Sequence, residues 1–332
     1  MRLGNALLAS LLLLPAALSA ADLVVYSARN EQLIKPLFDR YRADTGVEIQ
    51  FLTDKEAPLL ARLQAEGART PADILMTVDA GNLWQAAQLG LLAKVDSPVL
   101  SANIPAHLRD PDSRWFGLAV RARTIVYNTG SVTSSELSTY ADLAQPQWKG
   151  RLCLRTSKKV YNQSLVATMI ASEGPQATEA VVRGWVANLA AVPFASDDEV
   201  ILAVGSGRCA VGIVNTYYFG RLKRTETDLP VAIFWPDQGA GQRGVHVNVS
   251  GAGVTTHAKH PEAALKFLEW LSAGEAQGIF AGSNLEFPAN PAVAADPFVA
   301  AWGEFRQDSV NVAESGRLQT EAVKLMDRVG YR

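Results

Sequence analysis

Short apolar strands alternate with helices along most of this sequence, and this alternation constrains the fold more than any other feature. The apolar run at 23–26 is followed by apolar residues at helical spacing up to Tyr41. The same pattern recurs with strand-like runs at 47–51 and 73–78, and again after residue 150. Strands that alternate with helices in this way favour a parallel sheet covered by helices. The sequence therefore predicts an α/β protein.

Two extended stretches, at 115–128 and 245–256, are longer than the other strand-like runs and poor in charge between their ends. We expect them to cross between two α/β lobes as hinge strands, each lobe being a mainly parallel sheet covered by helices. A length of 332 residues is consistent with roughly two domains. The predicted boundaries are 21–118 plus 250–285 for the first lobe and 119–249 plus 286–332 for the second. The alternative is two domains that follow one another without discontinuity.

The first twenty residues predict a secretory signal peptide. Arg2 supplies a positive charge, 6–18 is almost wholly apolar, and small residues crowd the segment 17–21. This layout predicts a signal peptide over 1–20 that is cleaved between Ser19 and Asp22. The alternative is an uncleaved anchor. Cleavage would release a soluble, exported protein.

Charge and motifs exclude several functional classes. Lys and Arg together number 31 against 33 for Asp and Glu, a net charge of −2, so no nucleic-acid-binding surface is expected. The sequence contains no Gly-x-Ser-x-Gly, His-Glu-x-x-His or Walker A motif. We therefore predict a binding protein rather than an enzyme; the alternative is a secreted hydrolase with an unrecognised site.

Cys153 and Cys209 each lie in or beside a strand-like run. Export to an oxidising compartment makes a disulfide between them reasonable. A disulfide needs α-carbons within about 7 Å, which neighbouring strands allow. The alternative is two separate core cysteines.

Three tyrosines follow the strands that carry these cysteines. Tyr161 lies eight residues after Cys153, and Tyr217, which precedes Tyr218, lies eight residues after Cys209. If the two strands are parallel neighbours, the tyrosines emerge at the same sheet edge, where ligands of open α/β sheets bind. The alternative is ordinary aromatic packing at the strand ends.

Three convergent phenols suit one kind of ligand. A phenol has a pKa near 10 and becomes an anionic ligand when a metal displaces its proton. Fe³⁺ is a hard ion that three phenolates neutralise, whereas softer metals prefer Cys, Met or imidazole. A small anion such as carbonate would fill the remaining positions if a cation held it. Arg121 and Arg123 lie on the first extended stretch, and a guanidinium suits an oxyanion; the alternative is that they pair with carboxylates.

The chain resembles the periplasmic ferric-iron-binding proteins of bacterial ABC importers, which are transferrin-like members of the class II periplasmic binding fold. The most specific matching segments are 25–29, 70–74, 121–128, 148–150, 161–164 and 215–218. This resemblance implies that Tyr161, Tyr217 and Tyr218 bind iron and that Arg121 contacts the synergistic carbonate. It further implies a monomer in the periplasm that delivers Fe³⁺ to an inner-membrane permease.

The sequence departs from this family just after the first strand. Many members carry an iron-binding His or His-Tyr where this chain has Asn30 and Glu31. The first lobe then offers little beyond Glu31, whose carboxylate would reach the metal or a bound water. The alternative is that the three tyrosines and carbonate supply all the ligands of the metal. The alternative function is a related binding protein for an organic cation or oxyanion, such as a polyamine, thiamine or a phosphonate.

Overall fold

The computed structural model describes residues 23–332. The predicted signal peptide and its cleavage site lie outside the described residues. Within residues 23–332 the chain forms nine strands and thirteen α-helices. The strands are β1 (Leu23–Ser27), β2 (Ile49–Thr53), β3 (Ile74–Thr77), β4 (Phe116–Asn128), β5 (Leu152–Cys153), β6 (Val211–Asn215), β7 (Val231–Phe234), β8 (Val247–Val254) and β9 (Phe287–Pro288). The helices are α1 (Glu31–Thr45), α2 (Glu56–Glu66), α3 (Ala80–Gln88), α4 (Pro98–Asn103), α5 (Val160–Glu173), α6 (Pro175–Ala187), α7 (Asp197–Gly205), α8 (Thr216–Thr225), α9 (Pro261–Leu271), α10 (Gly274–Gly282), α11 (Pro297–Ala300), α12 (Glu314–Arg317) and α13 (Gln319–Arg328).

The strands pair in the order β2-β1-β3-β8-β4-β6-β5, with β7 and β9 also paired to β4. The pairs β1–β2, β1–β3 and β5–β6 are parallel, as expected for strands joined by helices. Every pair that involves β4 or β8 is antiparallel. The parallel strands therefore form two groups, one on each side of the β4–β8 pair.

The two long strands are the extended stretches that the sequence predicts as crossings. They pair with each other from Phe116 opposite Ala252 to Ala122 opposite Val247. Beyond this point β4 leaves β8 and pairs with β6, starting at Arg123 opposite Asn215. A single strand thus belongs to both groups of parallel strands.

The hydrophobic core changes at the same point along β4. A first core contains Ala119 and Ala122 together with apolar residues of β1, β3, β8, α1, α2 and α9. Ile125 and Val126 belong to separate clusters that pack on β5, β6, α5 and α7. The predicted lobe boundaries stay a prediction, although this change of core occurs within β4, close to where they were placed.

Local sequence accounts for the ends of several helices. α1 ends where Gly46 adopts a left-handed φ of 76°, a conformation that glycine adopts without strain. Ser196 is the N-cap of α7, and its side chain accepts a hydrogen bond from the Glu199 backbone N–H. α11 ends at Ala300, and Gly303 turns the chain shortly afterwards with a φ of 87°.

A disulfide joins Cys153 in β5 to Cys209 just before β6, with the α-carbons 5.8 Å apart. The predicted pairing is therefore confirmed. The bond ties the two neighbouring parallel strands together below the tyrosines. None of the helices within residues 23–332 has the length and apolar character that a membrane-spanning segment needs.

Candidate functional site

The two tyrosine-bearing helices begin where neighbouring parallel strands end. β5 and β6 pair in parallel, with Cys153 opposite Gly212. Tyr161 lies in the first turn of α5, after β5, and Tyr217 and Tyr218 lie in the first turn of α8, which follows β6 directly. The two strands that precede the tyrosines are therefore parallel neighbours, as the predicted meeting of the tyrosines requires.

The tyrosine side chains meet at this edge. The hydroxyl of Tyr217 donates a hydrogen bond to the hydroxyl of Tyr161 over 3.1 Å. The rings of Tyr217 and Tyr218 lie with their centroids 4.4 Å apart, and Arg155 donates to the Tyr218 hydroxyl over 3.5 Å. Tyr161 and Tyr217 are 9% and 4% exposed, whereas Tyr218 is half-buried.

All three tyrosines line one cavity of about 270 Å³. Its wall combines residues from both sides of the β4–β8 pair, which is where the ligand of a two-lobed binding protein lies. The other lining residues are Ala28, Arg29, Asn30, Leu33, Glu56, Val78, Arg121, Lys159, Arg221, Asn284 and Glu286. The cavity is therefore rich in phenol oxygens and in cations.

Burial keeps the phenols of Tyr161 and Tyr217 protonated when the cavity is empty. It raises the pKa of Tyr161 to about 12, against the opposing effect of the Arg121 charge. It also raises the pKa of Tyr217 well above the usual value, with a further rise from the neighbouring tyrosines. A ligand that uses phenolates must therefore displace protons.

Arg121 lies at the floor of the cavity and is 3% exposed. Its guanidinium donates to the Val249 carbonyl over 3.1 Å and to the Ser250 hydroxyl over 3.2 Å. The carboxylate of Asp79 lies 3.7 Å away, and the guanidinium carbon lies 5.4 Å from the centre of the Tyr161 ring. Its Nε is buried without a hydrogen-bond partner. Arg121 is thus held rigidly beside the tyrosines with a donor unused.

Asp79 beside Arg121 is fully buried. Burial raises the pKa of this carboxyl to about 6, while the charge of Arg121 opposes the rise and the more distant charge of Glu56 adds slightly to it. The Asn248 amide donates to Asp79 over 3.0 Å, and the Ser164 hydroxyl does so over 3.3 Å. The carboxylate thereby connects α3, β8 and α5 beneath the cavity.

Arg123 occupies a different environment and does not line the cavity. It forms an ion pair with Asp197 at 3.1 Å and donates to the Asn215 and Asn162 side chains over 3.0 and 2.5 Å. Since these asparagines flank Tyr217 and Tyr161, Arg123 ties the two tyrosine-bearing segments together. For Arg123 the alternative stated above therefore applies: its guanidinium pairs with a carboxylate instead of facing the cavity. Arg123 acts as a positioning residue for the tyrosines.

The structure also places Glu31 outside the tyrosine cavity. Glu31 is exposed at the start of α1 and lines an adjoining surface depression, together with Asp54 and Glu56. Of these three, Glu56 also lines the tyrosine cavity, as does Glu286. Glu286 is 2% exposed and pairs with Arg29 at 3.1 Å.

Two further cations face the tyrosines and were not predicted. The ammonium of Lys159 lies 4.8 Å from the centre of the Tyr161 ring, and the guanidinium of Arg221 lies 4.9 Å from that of Tyr217. The sequence contained a signal for both cations. Lys159 lies two residues before Tyr161, and Arg221 lies one helical turn after Tyr217. Within residues 23–332 there is no group of three or more His, Cys, Asp or Glu side chains arranged to hold a metal ion.

A family model described as "Bacterial extracellular solute-binding protein" matches residues 69–303. The chain belongs to this family. Iron uptake protein A1 of a Synechocystis strain is 40% identical over 317 residues, which cover 94% of this chain and 88% of that protein. The Fe(3+)-binding periplasmic protein of Serratia marcescens is 27% identical, over 98% of this chain and 96% of that protein.

A comparison with solved structures also places this solute-binding protein beside iron-binding proteins. The Trichodesmium IdiA (FutA) protein in complex with iron and citrate superposes with a TM-score of 0.90 and 42% identity, covering 94% of this chain and 100% of that one. The predicted class II periplasmic binding fold and the predicted resemblance are therefore confirmed. The relatives are solute-binding transport proteins and not enzymes, so the prediction of a binding protein is confirmed as well.

Proposed function

We propose that this solute-binding protein captures Fe³⁺ through the phenolates of Tyr161, Tyr217 and Tyr218, with a small synergistic anion, carbonate, held by Arg121. The observation that carries the proposal is the convergence of three phenol groups on one cavity, with two hydroxyls 3.1 Å apart. Ordinary packing would direct these side chains into separate apolar cores, whereas here all three line a common space. Iron is the cargo of the site.

The chemistry of the cavity supports a hard trivalent ion. Burial raises the pKa of Tyr161 and Tyr217 and makes these two phenols costly to ionise, so only a strongly acidic cation offsets the loss of their protons. Three phenolates then match the charge of Fe³⁺. Arg121 offers an unused buried donor beside them, which suits a small oxyanion that bridges the metal and the guanidinium.

Lobe closure is the second part of the proposal. The lobes comprise residues 21–118 plus 250–285 and 119–249 plus 286–332, and they hinge about β4 and β8. Closure around the metal excludes water and strengthens each phenolate–iron contact. The closed monomer then delivers iron to an ABC permease at the inner membrane. Iron-binding relatives named as periplasmic support this location, and the predicted signal peptide provides the export route.

The cationic lining also suits a second candidate, an organic oxyanion such as a phosphonate. Arg29, Arg121, Lys159 and Arg221 all line the cavity. The two candidates differ in what the phenols do, since an oxyanion needs them only as neutral hydrogen-bond donors. An organic cation such as a polyamine or thiamine is disfavoured by the same four charges.

Thermal unfolding with a panel of ligands tests the proposal. The apo protein is heated with ferric salt plus bicarbonate, and separately with a phosphonate, a polyamine and thiamine. Binding to the native state raises the melting temperature by mass action. We expect a rise with ferric salt that exceeds the others. A rise with the phosphonate alone would favour the oxyanion-binding function and contradict iron capture.

A further inference from the structure

Glu56 is the carboxylate of the tyrosine cavity that lacks a protein partner. It lies at the start of α2, whose leucines pack in the first core, and it is half-buried. Among the described residues, no hydrogen bond or ion pair involves its side chain. Glu286, the other lining carboxylate, is occupied by Arg29 at 3.1 Å and by the Asn284 amide at 2.8 Å. Glu56 is therefore available to a ligand and Glu286 is not.

The coordination of the proposed cargo leaves a position for such a group. Three phenolates and a carbonate that binds through two oxygens leave one position of an octahedral ferric ion unfilled. The tyrosines all lie on α5 and α8, so the open position faces the other side of the cavity. The first-lobe side chains there include Asn30, a neutral exposed amide, and Glu56, a hard anionic oxygen donor.

The cations of the cavity wall attract an anionic donor to the same place. Arg29 pairs with Glu286 at 3.1 Å, and Arg121 lies 3.7 Å from Asp79, so both guanidiniums have carboxylate partners. Lys159 and Arg221 also line the cavity, and neither forms an ion pair with the described residues. Glu56 is the lining carboxylate without an ion pair of its own, so it is the anionic side chain that these two cations draw toward the site when the lobes close.

We infer that Glu56, and not Glu31, supplies the first lobe's oxygen ligand to the ferric ion when the lobes close. This inference rests on the proposed function. Glu56 lines both the tyrosine cavity and the adjoining depression, whereas Glu31 is exposed and lines the depression but not the cavity. Glu56 thus supplies, from the first lobe, the ligand that the sequence predicted at Glu31.

The test compares Glu56→Gln with Glu31→Gln and with the control Glu262→Gln. Glu262 is an exposed carboxylate in the first turn of α9, so its substitution makes the same charge change far from the cavity lining. Each protein is titrated with ferric salt and bicarbonate against a competing chelator, and its visible spectrum is recorded. We expect Glu56→Gln to weaken ferric binding by at least about tenfold. We also expect its phenolate-to-iron band to move to longer wavelength, because loss of an anionic donor makes the ferric ion a better electron acceptor.

The outcomes separate this inference from the proposed function. A wild-type protein that forms no visible ferric band contradicts the proposed function itself. A coloured wild type with unchanged affinity and spectrum in Glu56→Gln overturns the inference alone. Weaker binding with an unmoved band also overturns it, since Glu56 would then act by pairing with Lys159 and not by touching the metal. Weakening by Glu31→Gln, with Glu56→Gln silent, would assign the ligand to Glu31.

Discussion

Replacing Tyr217 by phenylalanine removes one oxygen atom from the centre of the proposed iron site. That hydroxyl donates to Tyr161 over 3.1 Å and accepts a long contact from the Asn215 amide at 3.5 Å. A protein hydrogen bond contributes about 1 kcal/mol net to folding. We therefore expect the free energy of unfolding to fall by about 1 kcal/mol, which leaves the protein folded.

The expected loss of iron binding is larger. Structural Zn²⁺ sites in zinc fingers, which have four protein ligands, are worth about 10–16 kcal/mol, and on that scale one ligand contributes on the order of 3 kcal/mol. At about 1.4 kcal/mol per tenfold change, the dissociation constant for Fe³⁺ rises by roughly a hundredfold. The ratio between the two effects is what distinguishes a ligand from a packing residue.

The assay combines ferric competition titration with urea unfolding of the apo protein. Tyr41→Phe is the matched control, because Tyr41 is 4% exposed but packs against Phe267 in the first core, 4.7 Å between ring centroids. We expect Tyr41→Phe to bind iron as the wild type does. Equal iron affinities for wild type and Tyr217→Phe would refute tyrosine ligation at this position, whatever the stability change.

Three further predictions concern protons, the anion and the disulfide. Acidification should release iron, since burial raises the pKa of Tyr161 to about 12 and each phenolate that regains a proton weakens binding by about tenfold per pH unit; equilibrium dialysis that finds the same occupancy in acid would contradict this. Arg121→Gln should abolish the stimulation of iron binding by bicarbonate, measured in carbonate-free buffer with and without bicarbonate; stimulation equal to that of the wild type would exclude Arg121 as the anion ligand. The double substitution Cys153→Ser and Cys209→Ser opens a cross-link between residues 56 positions apart and should lower the unfolding free energy by about 4 kcal/mol, measured by urea titration; an unchanged midpoint would show that the cross-link constrains the unfolded chain little.

The tyrosine cluster could be predicted because its geometry depends on local features. Tyr161 and Tyr217 each lie eight residues after a cysteine. Because the strands beside these cysteines pair in parallel, both tyrosines emerge at the same edge of the sheet. The disulfide followed from the same neighbouring strands. Resemblance to known iron-binding proteins supplied the metal, which the residue pattern alone left open against aromatic packing.

The sequence alone could not assign different roles to Arg121 and Arg123. Arg121 and Arg123 are two residues apart on one strand, so they point to the same side of β4. Yet Arg121 lies opposite Asn248 of β8, and Arg123 lies opposite Asn215 of β6. The strand changes its partner between them, which separates a residue of the cavity from one that ties the tyrosine segments together.

The cavity carboxylates depend on contacts between distant parts of the chain. Glu286 pairs with Arg29 across 257 positions of sequence, and no local pattern marks either residue for the other. Glu56 begins an ordinary amphipathic helix, and only the fold shows that this end of the helix borders the tyrosines. The sequence selected Glu31 because of its position in a family motif, which fixes a place along the chain and not a direction in space.

Titration of the apo protein with ferric ion in bicarbonate buffer, followed by visible absorbance, tests the central claim most directly. Phenolate ligation gives a charge-transfer band that colours the protein red to purple and stops growing at one iron per chain. The protein should bleach as acid returns protons to the tyrosines. Tight iron binding with no visible band would contradict phenolate ligation, and no iron binding at all would contradict the function.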